Sequence, residues 1–277
     1  MRIGYNTNGL AHHSLHEAVE LLASLGYESV AITLDHAALN PYALGFEDGL
    51  KAMRAQLEEH GMRSVVETGA RYLLDPRAKH SPTLLADDPV DRARRMDFLM
   101  HAVDAAAALG SDCVSLWSGT PPEGCEREAA EDRLYAGLRE VLDYADACGV
   151  MLGFEPEPGM LIDTMERFAI LHERVHSPRL RLTLDVGHLH CLGETPIAEH
   201  IHRWGDKLLN VHIEDMREGV HEHLMFGEGE IDFPPVIAAL RGAGYHGGLH
   251  VELSRHSHVG PQAAAESFSF LAGLVKD

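Results

Sequence analysis

The segment Glu20–Asp35, ELLASLGYESVAITLD, joins two kinds of hydrophobic pattern across one glycine. Its first part has the apolar spacing of a helix, and Gly26 stands where a helix C-terminus needs a left-handed residue. The aliphatic and β-branched run that follows is typical of a buried strand. The same pattern recurs in RAQLEEHGMRSVVE, DAAAALGSDCVSLW, LDYADACGVMLGFE and AALRGAGYHGGLHVE. Repeated helix-then-strand units therefore make up the chain.

These signals predict eight strands and eight helices in strict alternation. The strands lie near residues 2–6, 28–35, 62–68, 112–117, 150–155, 179–185, 207–213 and 248–252. The helices lie near residues 14–25, 46–60, 89–109, 127–148, 163–175, 196–204, 233–243 and 261–275. Such alternation, without a composition break, favours parallel strands joined by helices, and eight of them can close into a barrel. We predict an α/β fold: a single (β/α)8 TIM barrel with a parallel eight-stranded core, spanning residues 1–277 as one domain.

The charge balance bears on the partners. The chain has 43 acidic and 23 basic residues, a formal net charge of −20, which repels phosphate backbones and anionic membranes. Neither nucleic acid nor a membrane is expected as a partner. The sequence begins with a strand instead of a signal peptide and has no apolar run of membrane-spanning length, so a cytoplasmic protein is predicted. The oligomeric state stays open, a homo-oligomer included.

Side-chain parity identifies a group of polar residues at the strand ends. Alternate residues of a barrel strand face the helices and the lumen. In the strand ends LGFE, RLTLD, LNVH and LHVE, the large aliphatic residues, Leu209 among them, should face the helices. Glu155, Asp185, His212 and Glu252 then point inward, at the rim where barrel enzymes build active sites. The alternative is that each residue only caps a helix or satisfies loop amides.

Three carboxylates and one imidazole form an oxygen-rich ligand set for one divalent cation. Mn²⁺ is the first expectation, with Co²⁺, Mg²⁺ or Zn²⁺ as alternatives. Such a cation stabilises the negative charge that develops when the carbon beside a carbonyl is deprotonated. Glu155 and Glu252, expected on opposite sides of the ring, are the candidate acid/base pair. Returning the proton to the opposite face of the same carbon is epimerisation, and moving it to the neighbouring carbon is isomerisation.

Five motifs carry a family resemblance: GFEPEPG, LTLDVGHLH, NVHIEDMREG, GEGEIDF and LHVELSRH. In these motifs and their order, the chain resembles the xylose isomerase-like TIM-barrel superfamily of sugar phosphate isomerases and epimerases. That superfamily includes ketose 3-epimerases, hydroxypyruvate isomerase, inosose dehydratase and endonuclease IV. The resemblance covers essentially the whole chain and implies that the four inward groups bind the metal.

The resemblance also implies roles for residues around these four. It implies that His188 contacts substrate oxygens or a second metal. From the sequence itself, Gly187 is expected to permit the tight turn that brings His188 over the same pocket. Arg217 is implied to bind a substrate hydroxyl or phosphate. For His188 and Arg217 the alternatives are a helix-start histidine and a solvated loop residue.

Further candidates lie on the predicted loops and strand ends. His221 and His223 are candidate ligands for a second metal or for substrate. Trp117 is expected to form an apolar wall for a sugar ring, and Glu67 and His36 to line the pocket mouth. For each of these the alternative is packing, capping or solvation.

The leading functional hypothesis is a metal-dependent isomerase or epimerase of a sugar, keto-sugar or polyol, phosphorylated or not, acting through an enediolate. A lyase that eliminates water or a C-linked group beside a carbonyl would use the same residues. A non-catalytic carbohydrate-binding barrel and an endonuclease IV-like nuclease are further alternatives. Against the nuclease, strands three and four end in Glu67 and Trp117, where endonuclease IV-like members have metal-binding histidines.

Overall fold

Eight parallel strands close into a barrel in the computed structural model, which describes residues 1–275. Around the ring the strand order is β1, β10, β7, β6, β5, β4, β3, β2. The barrel strands are β1 (Arg2–Asn6), β2 (Ser29–Thr33), β3 (Arg63–Glu67), β4 (Val114–Leu116), β5 (Leu152–Phe154), β6 (Leu180–Asp185), β7 (Leu208–Ile213) and β10 (Gly248–Val251). The predicted (β/α)8 TIM barrel is therefore confirmed. The last two residues of the predicted domain, 276 and 277, lie outside the described residues.

Nine α-helices are present in the described part of the chain. They are α1 (Leu15–Leu25), α2 (Phe46–His60), α3 (Pro89–Leu109), α4 (Arg127–Cys148), α5 (Met165–Val175), α6 (Val186–Cys191), α7 (Ile197–Trp204), α8 (Phe233–Gly242) and α9 (Gly260–Val275). Eight match predicted helices, and α6 is additional. A small antiparallel hairpin, β8 (Asp215–Arg217) with β9 (Val220–Leu224), was also not predicted. None of the helices described is long and apolar enough to cross a membrane.

Helix α1 shows why the opening segment folds as it does. Ser14 caps the helix by accepting the backbone N–H of Glu17, and the Glu17 side chain accepts the Ser14 N–H in return. Gly26 ends the helix in the left-handed region with φ of 99°. A side chain at this φ would be strained, so a glycine marks the point where the chain turns toward β2.

The prediction that Leu209 faces the helices is wrong. The pairing of β6 with β7 is irregular: Leu182 lies opposite Leu208, whereas Thr183 lies opposite Asn210. Leu209 is therefore the extra residue of a bulge. It packs against the buried cluster of Ala31, Val65 and Cys113 inside the barrel, as does Met151. The bulge also keeps Asn210 and His212 pointing into the lumen.

The middle of the lumen is polar. Asn210 Oδ1 lies 2.6 Å from Nδ1 of His250, and Nε2 of His250 lies 2.8 Å from the hydroxyl of Ser29. Gly4 and Gly248 make room for this ring, because a Cβ atom at either position would collide with it. A column of hydrogen-bonded side chains thus fills the barrel below the strand ends.

Candidate active site

The four predicted inward groups meet at one end of the barrel. Glu155 directly follows β5, Asp185 ends β6, His212 lies in β7, and Glu252 directly follows β10. Each offers one ligand atom, and these atoms all lie within 4.8 Å of one another. Parallel strands place their carboxyl ends at the same rim, which is why residues far apart in sequence converge here.

His212 is the centre of this group. Its Nδ1 atom lies 2.9 Å from Oε1 of Glu155, 2.9 Å from Oε2 of Glu252 and 3.9 Å from Oδ2 of Asp185. Burial alone would lower the pKa of His212, but Glu155, Glu67 and Glu252 together raise it well above its ordinary value. The negative charges of Glu155, Glu67 and Glu252 therefore favour a positive charge at the position of the His212 ring.

The two glutamates have different proton affinities. Burial raises the pKa of Glu155 to about 8. Burial acts in the same direction on Glu252, but His212 and neighbouring imidazoles lower its pKa below the ordinary value. Asn8, in the 3₁₀ turn after β1, also donates its amide to Glu252 Oε1 at 2.7 Å. Two carboxyl groups whose pKa values are pushed apart are suited to opposite roles in proton transfer.

The two carboxylate oxygens of Asp185 have different surroundings. Its Oδ1 accepts the backbone N–H of His188 at 2.8 Å and so caps α6. Its Oδ2 is buried and has no hydrogen-bond partner within residues 1–275. A buried carboxylate oxygen without a donor is costly unless a cation neutralises it. The donor set and this oxygen fit a hard divalent cation bound by Glu155, Asp185, His212 and Glu252.

The strand order corrects one detail of the predicted acid/base pair. Glu155 follows β5 and Glu252 follows β10, and these strands are separated by β6 and β7. The two strands are thus three positions apart in a ring of eight, not directly opposite. The carboxylates still approach His212 from different strands, because each lies 2.9 Å from the same Nδ1 atom.

A second cluster lies beside the first. His221 and His223 are on the same face of β9, two residues apart, and both rings turn toward His188. The Nε2 atom of His221 lies 3.1 Å from that of His188 and 3.4 Å from that of His223. One nitrogen from each ring therefore faces a common point, which fits either a second cation or substrate oxygens. Burial lowers the pKa of His188 to about 4, so its ring is neutral and able to act as a ligand.

Glu157 lies between the two clusters. It is not among the site residues predicted from the sequence. Its carboxylate oxygens lie 3.8 Å from His188 Nε2 and 3.7 Å from His221 Nε2. Burial, then the charge of Glu155, raise its pKa well above the ordinary value. The alternation Glu-Pro-Glu in EPEP was the available signal, because i and i+2 residues of extended chain share a face.

Glu214 is a second acid that the sequence did not reveal. It directly follows β7 and is fully buried, and neither carboxyl oxygen has a hydrogen-bond partner in the described chain. Burial and the charge of Asp185 raise its pKa well above the ordinary value, so the group is neutral. A Cβ atom on Gly187 would collide with Glu214 Oε1. Gly187 lies inside α6 without a left-handed φ, so it provides space for Glu214 rather than the predicted tight turn.

The other predicted residues are spread around the rim. Glu67 is buried beneath the cluster, with Oε1 2.9 Å from Nε2 of His212, rather than at the pocket mouth. Trp117 is half-buried, with the guanidinium of Arg95 4.6 Å from its ring centroid. His36 is exposed. Arg217 is also exposed, and its guanidinium donates to the carbonyl of Glu228 at 2.9 Å instead of turning to the clusters.

Asp215 holds the loop that follows the hairpin. Its Oδ1 accepts the N–H groups of Met216 and Ile231, and its Oδ2 accepts the N–H of Gly227. The backbone N–H of Gly219, at the hairpin turn, donates to the carbonyl of Cys191 in α6. Hydrogen bonds therefore hold the hairpin that carries His221 and His223 both at its base, through Asp215, and at its turn, through Gly219.

Comparison with known proteins agrees with this fold. A family model described as xylose isomerase-like TIM barrel matches residues 19–274. L-ribulose-5-phosphate 3-epimerase UlaE of Salmonella paratyphi C is 23% identical over 248 residues, which cover 89% of this chain and 84% of that protein. The structure of a D-tagatose 3-epimerase-like protein superimposes with a TM-score of 0.83 at 21% identity, covering 100% of this chain and 97% of the other. The structure of IOLI protein with a bound zinc atom superimposes with a TM-score of 0.80 at 18% identity, covering 100% of this chain and 98% of the other.

Proposed function

Because the chain belongs to the xylose isomerase-like TIM-barrel family, we propose that it is a divalent-metal-dependent isomerase or epimerase of a sugar, keto-sugar or polyol. A ketose, free or phosphorylated, is the first substrate class to test, since a curated relative is named as a ribulose-phosphate 3-epimerase. The observation that carries the proposal is the placement of Glu155 and Glu252, each 2.9 Å from the same atom of His212.

Glu155, Asp185, His212 and Glu252 would hold the cation, with Mn²⁺ as the first choice and Co²⁺, Mg²⁺ or Zn²⁺ as alternatives. When bound, a divalent cation stabilises negative charge on the substrate oxygens. The zinc atom in the related IOLI structure supports a metal-dependent protein.

The two glutamates move the proton. Glu252 is the carboxylate that removes the proton from the carbon beside the substrate carbonyl, and the charge of His212 beside it keeps it ionised. The electron pair of the C–H bond forms the C=C bond of an enediolate, and the π electrons of the C=O bond move onto the carbonyl oxygen. Glu155, with its raised pKa, is the acid that returns a proton to the opposite face of the same carbon or to the neighbouring carbon. Asn8 keeps Glu252 in place by donating to Oε1.

The surrounding residues complete the substrate site. His188, His221 and His223 would bind substrate oxygens or a second cation through their converging Nε2 atoms. Trp117 would form the apolar wall for the sugar carbons. His36 and Arg217 stay proposed substrate residues, and both would need to move from their exposed positions to reach it.

Hydrogen exchange with solvent tests this proposal. The purified protein would be incubated in D₂O with a panel of ketoses, ketose phosphates, inosose and 3-keto-glycosides, and deuterium at carbon would be followed by NMR. Deuterium should enter the carbon beside the carbonyl of at least one compound, and chelation of divalent cations should stop this exchange. No exchange with any compound in the presence of Mn²⁺, Co²⁺, Mg²⁺ or Zn²⁺ would count against an isomerase or epimerase.

A lyase is the second candidate, and Glu157 is the observation in its favour. Its carboxyl group has a raised pKa and lies within 3.8 Å of His188, so a neutral acid is available to protonate a departing hydroxyl group. Mass spectrometry of the same incubations separates the two reactions. An epimerase or isomerase leaves the mass in ordinary water unchanged, whereas a dehydratase yields a product that has lost water.

A further inference from the structure

Glu67 lies directly behind the ring of His212. It ends β3, is buried, and places Oε1 2.9 Å from Nε2 of His212. The opposite nitrogen of the ring, Nδ1, faces Glu155 and Glu252. The imidazole therefore lies between one carboxylate on its Nε2 side and two on its Nδ1 side.

The position of the ring proton decides whether His212 can act as a ligand. A neutral imidazole carries one proton, and only the nitrogen without it can bind a cation. If the proton is on Nδ1, it donates to Glu155 or Glu252 and occupies the direction that a cation needs. If it is on Nε2, the Nδ1 lone pair is free. The ring alone does not enforce the second arrangement.

Asn210 adds a competing interaction. Its amide Nδ2 lies 3.0 Å from His212 Nε2 and 3.1 Å from Glu67 Oε1. Because a carboxylate only accepts, Asn210 turns its NH₂ group toward Glu67, and its Oδ1 takes the Nδ1 proton of His250 at 2.6 Å. That NH₂ group would also donate to a bare Nε2 on His212, which favours the tautomer unable to bind metal. Glu67 is the acceptor that opposes this tautomer.

We propose that Glu67 is a positioning residue that holds His212 with its proton on Nε2, so that the Nδ1 lone pair faces the cation. The inference rests on the proposed metal site. Glu67 acts through His212 and touches neither the cation nor the substrate. Partners of this kind typically change metal affinity by about 10–100-fold when they are replaced.

The test measures metal affinity and needs no turnover. Zn²⁺ affinity would be determined by competition with a chromophoric chelator for the wild type, Glu67→Leu and Glu67→Gln. Ser115→Ala is the matched control, because Ser115 is the register neighbour of Glu67 on β4 and its buried hydroxyl has no hydrogen-bond partner in the described residues. Thermal unfolding of each metal-free variant reports whether the barrel is intact.

The expected order is specific to this role. Glu67→Leu should weaken Zn²⁺ binding by about 100-fold, because nothing then accepts the Nε2 proton. Glu67→Gln should lose only about 10-fold, since its amide oxygen can still accept that proton, and Ser115→Ala should bind like the wild type. If Glu67→Leu does not fold, the Zn²⁺ affinity of Glu67→Gln tests the inference instead: a loss of about 10-fold supports it, and wild-type affinity overturns it.

Wild-type affinity in a folded Glu67 variant would overturn the inference and leave the metal site standing. Equal loss in Ser115→Ala would overturn it as well, because the effect would then be one of packing. Absence of Zn²⁺ binding by the wild type would instead contradict the metal site itself, and with it the inference.

Discussion

Asp185 accepts the backbone N–H of His188 through Oδ1 at 2.8 Å, while its other oxygen, Oδ2, is buried and has no hydrogen-bond partner in residues 1–275. The two explanations that the sequence left open for Asp185, a helix cap and a metal ligand, therefore apply to different atoms of one side chain. The cap fixes the carboxylate, and its fixed orientation directs Oδ2 toward the cluster.

Replacing Asp185 separates these two roles. Asp185→Asn keeps an oxygen that can cap α6 but loses the negative charge, so Zn²⁺ or Mn²⁺ affinity should fall at least about tenfold with little change in stability. Asp185→Ala should in addition lose about 1 kcal/mol of unfolding free energy with the cap. Chelator competition and urea unfolding of the metal-free proteins measure the two effects. Unchanged metal affinity in Asp185→Asn would rule this residue out as a ligand.

The histidine cluster predicts the number of metal ions bound. If His188, His221 and His223 form a second cation site, the wild type should bind a second, weaker equivalent of Co²⁺ or Zn²⁺ in a titration. His221→Ala should lose this equivalent and keep the first. His202→Ala, on α7, is the matched control. One equivalent in every variant would assign the cluster to substrate instead.

Metal binding should release protons. The pKa of His212 is raised well above its ordinary value, so near neutral pH the ring holds a second proton that a cation must displace. Apparent affinity should therefore increase between pH 6 and 8, by about tenfold per pH unit for each proton released. Calorimetric titrations in buffers of different ionisation enthalpy count the protons. An observed binding enthalpy that does not depend on the buffer would contradict this.

Asp215 should stabilise the hairpin loop without taking part in chemistry. It accepts three backbone N–H groups while buried, so Asp215→Ala should cost about 3 kcal/mol of unfolding free energy. Amide hydrogens of Gly227 and Ile231 should then exchange faster with solvent, as measured by mass spectrometry. An unchanged exchange rate would show that other contacts hold the loop.

The sequence predicts the barrel well because the repeated Gly-terminated helices and apolar strands are local signals. It also predicts which side chains of β5, β6, β7 and β10 point inward, since parity is a property of each strand alone. Leu209 fails this rule because a bulge depends on the pairing between two strands. Glu214 and Asn8 were missed for a similar reason: their roles come from groups that only the closed barrel brings near them.

The hairpin of β8 and β9 had a weak signal. The turn Glu218-Gly219 and the alternation in VHEHL are typical of a short hairpin, and Gly219 has a φ of 70°. A prediction of this hairpin would have placed His221 and His223 on one face. Their approach to His188 needed the three-dimensional structure, because α6 and the hairpin are joined only through tertiary contacts such as Gly219 to Cys191.

The most direct test of the central claim is solvent-deuterium exchange by Glu252→Gln, with the best substrate found in the panel. Glu252 is proposed to remove the substrate proton, so this variant should bind the substrate and lose exchange by at least about 100-fold. Glu128→Gln, the same change at an exposed position of α4, should exchange like the wild type. Exchange at the wild-type rate by a metal-loaded Glu252→Gln protein would contradict the account.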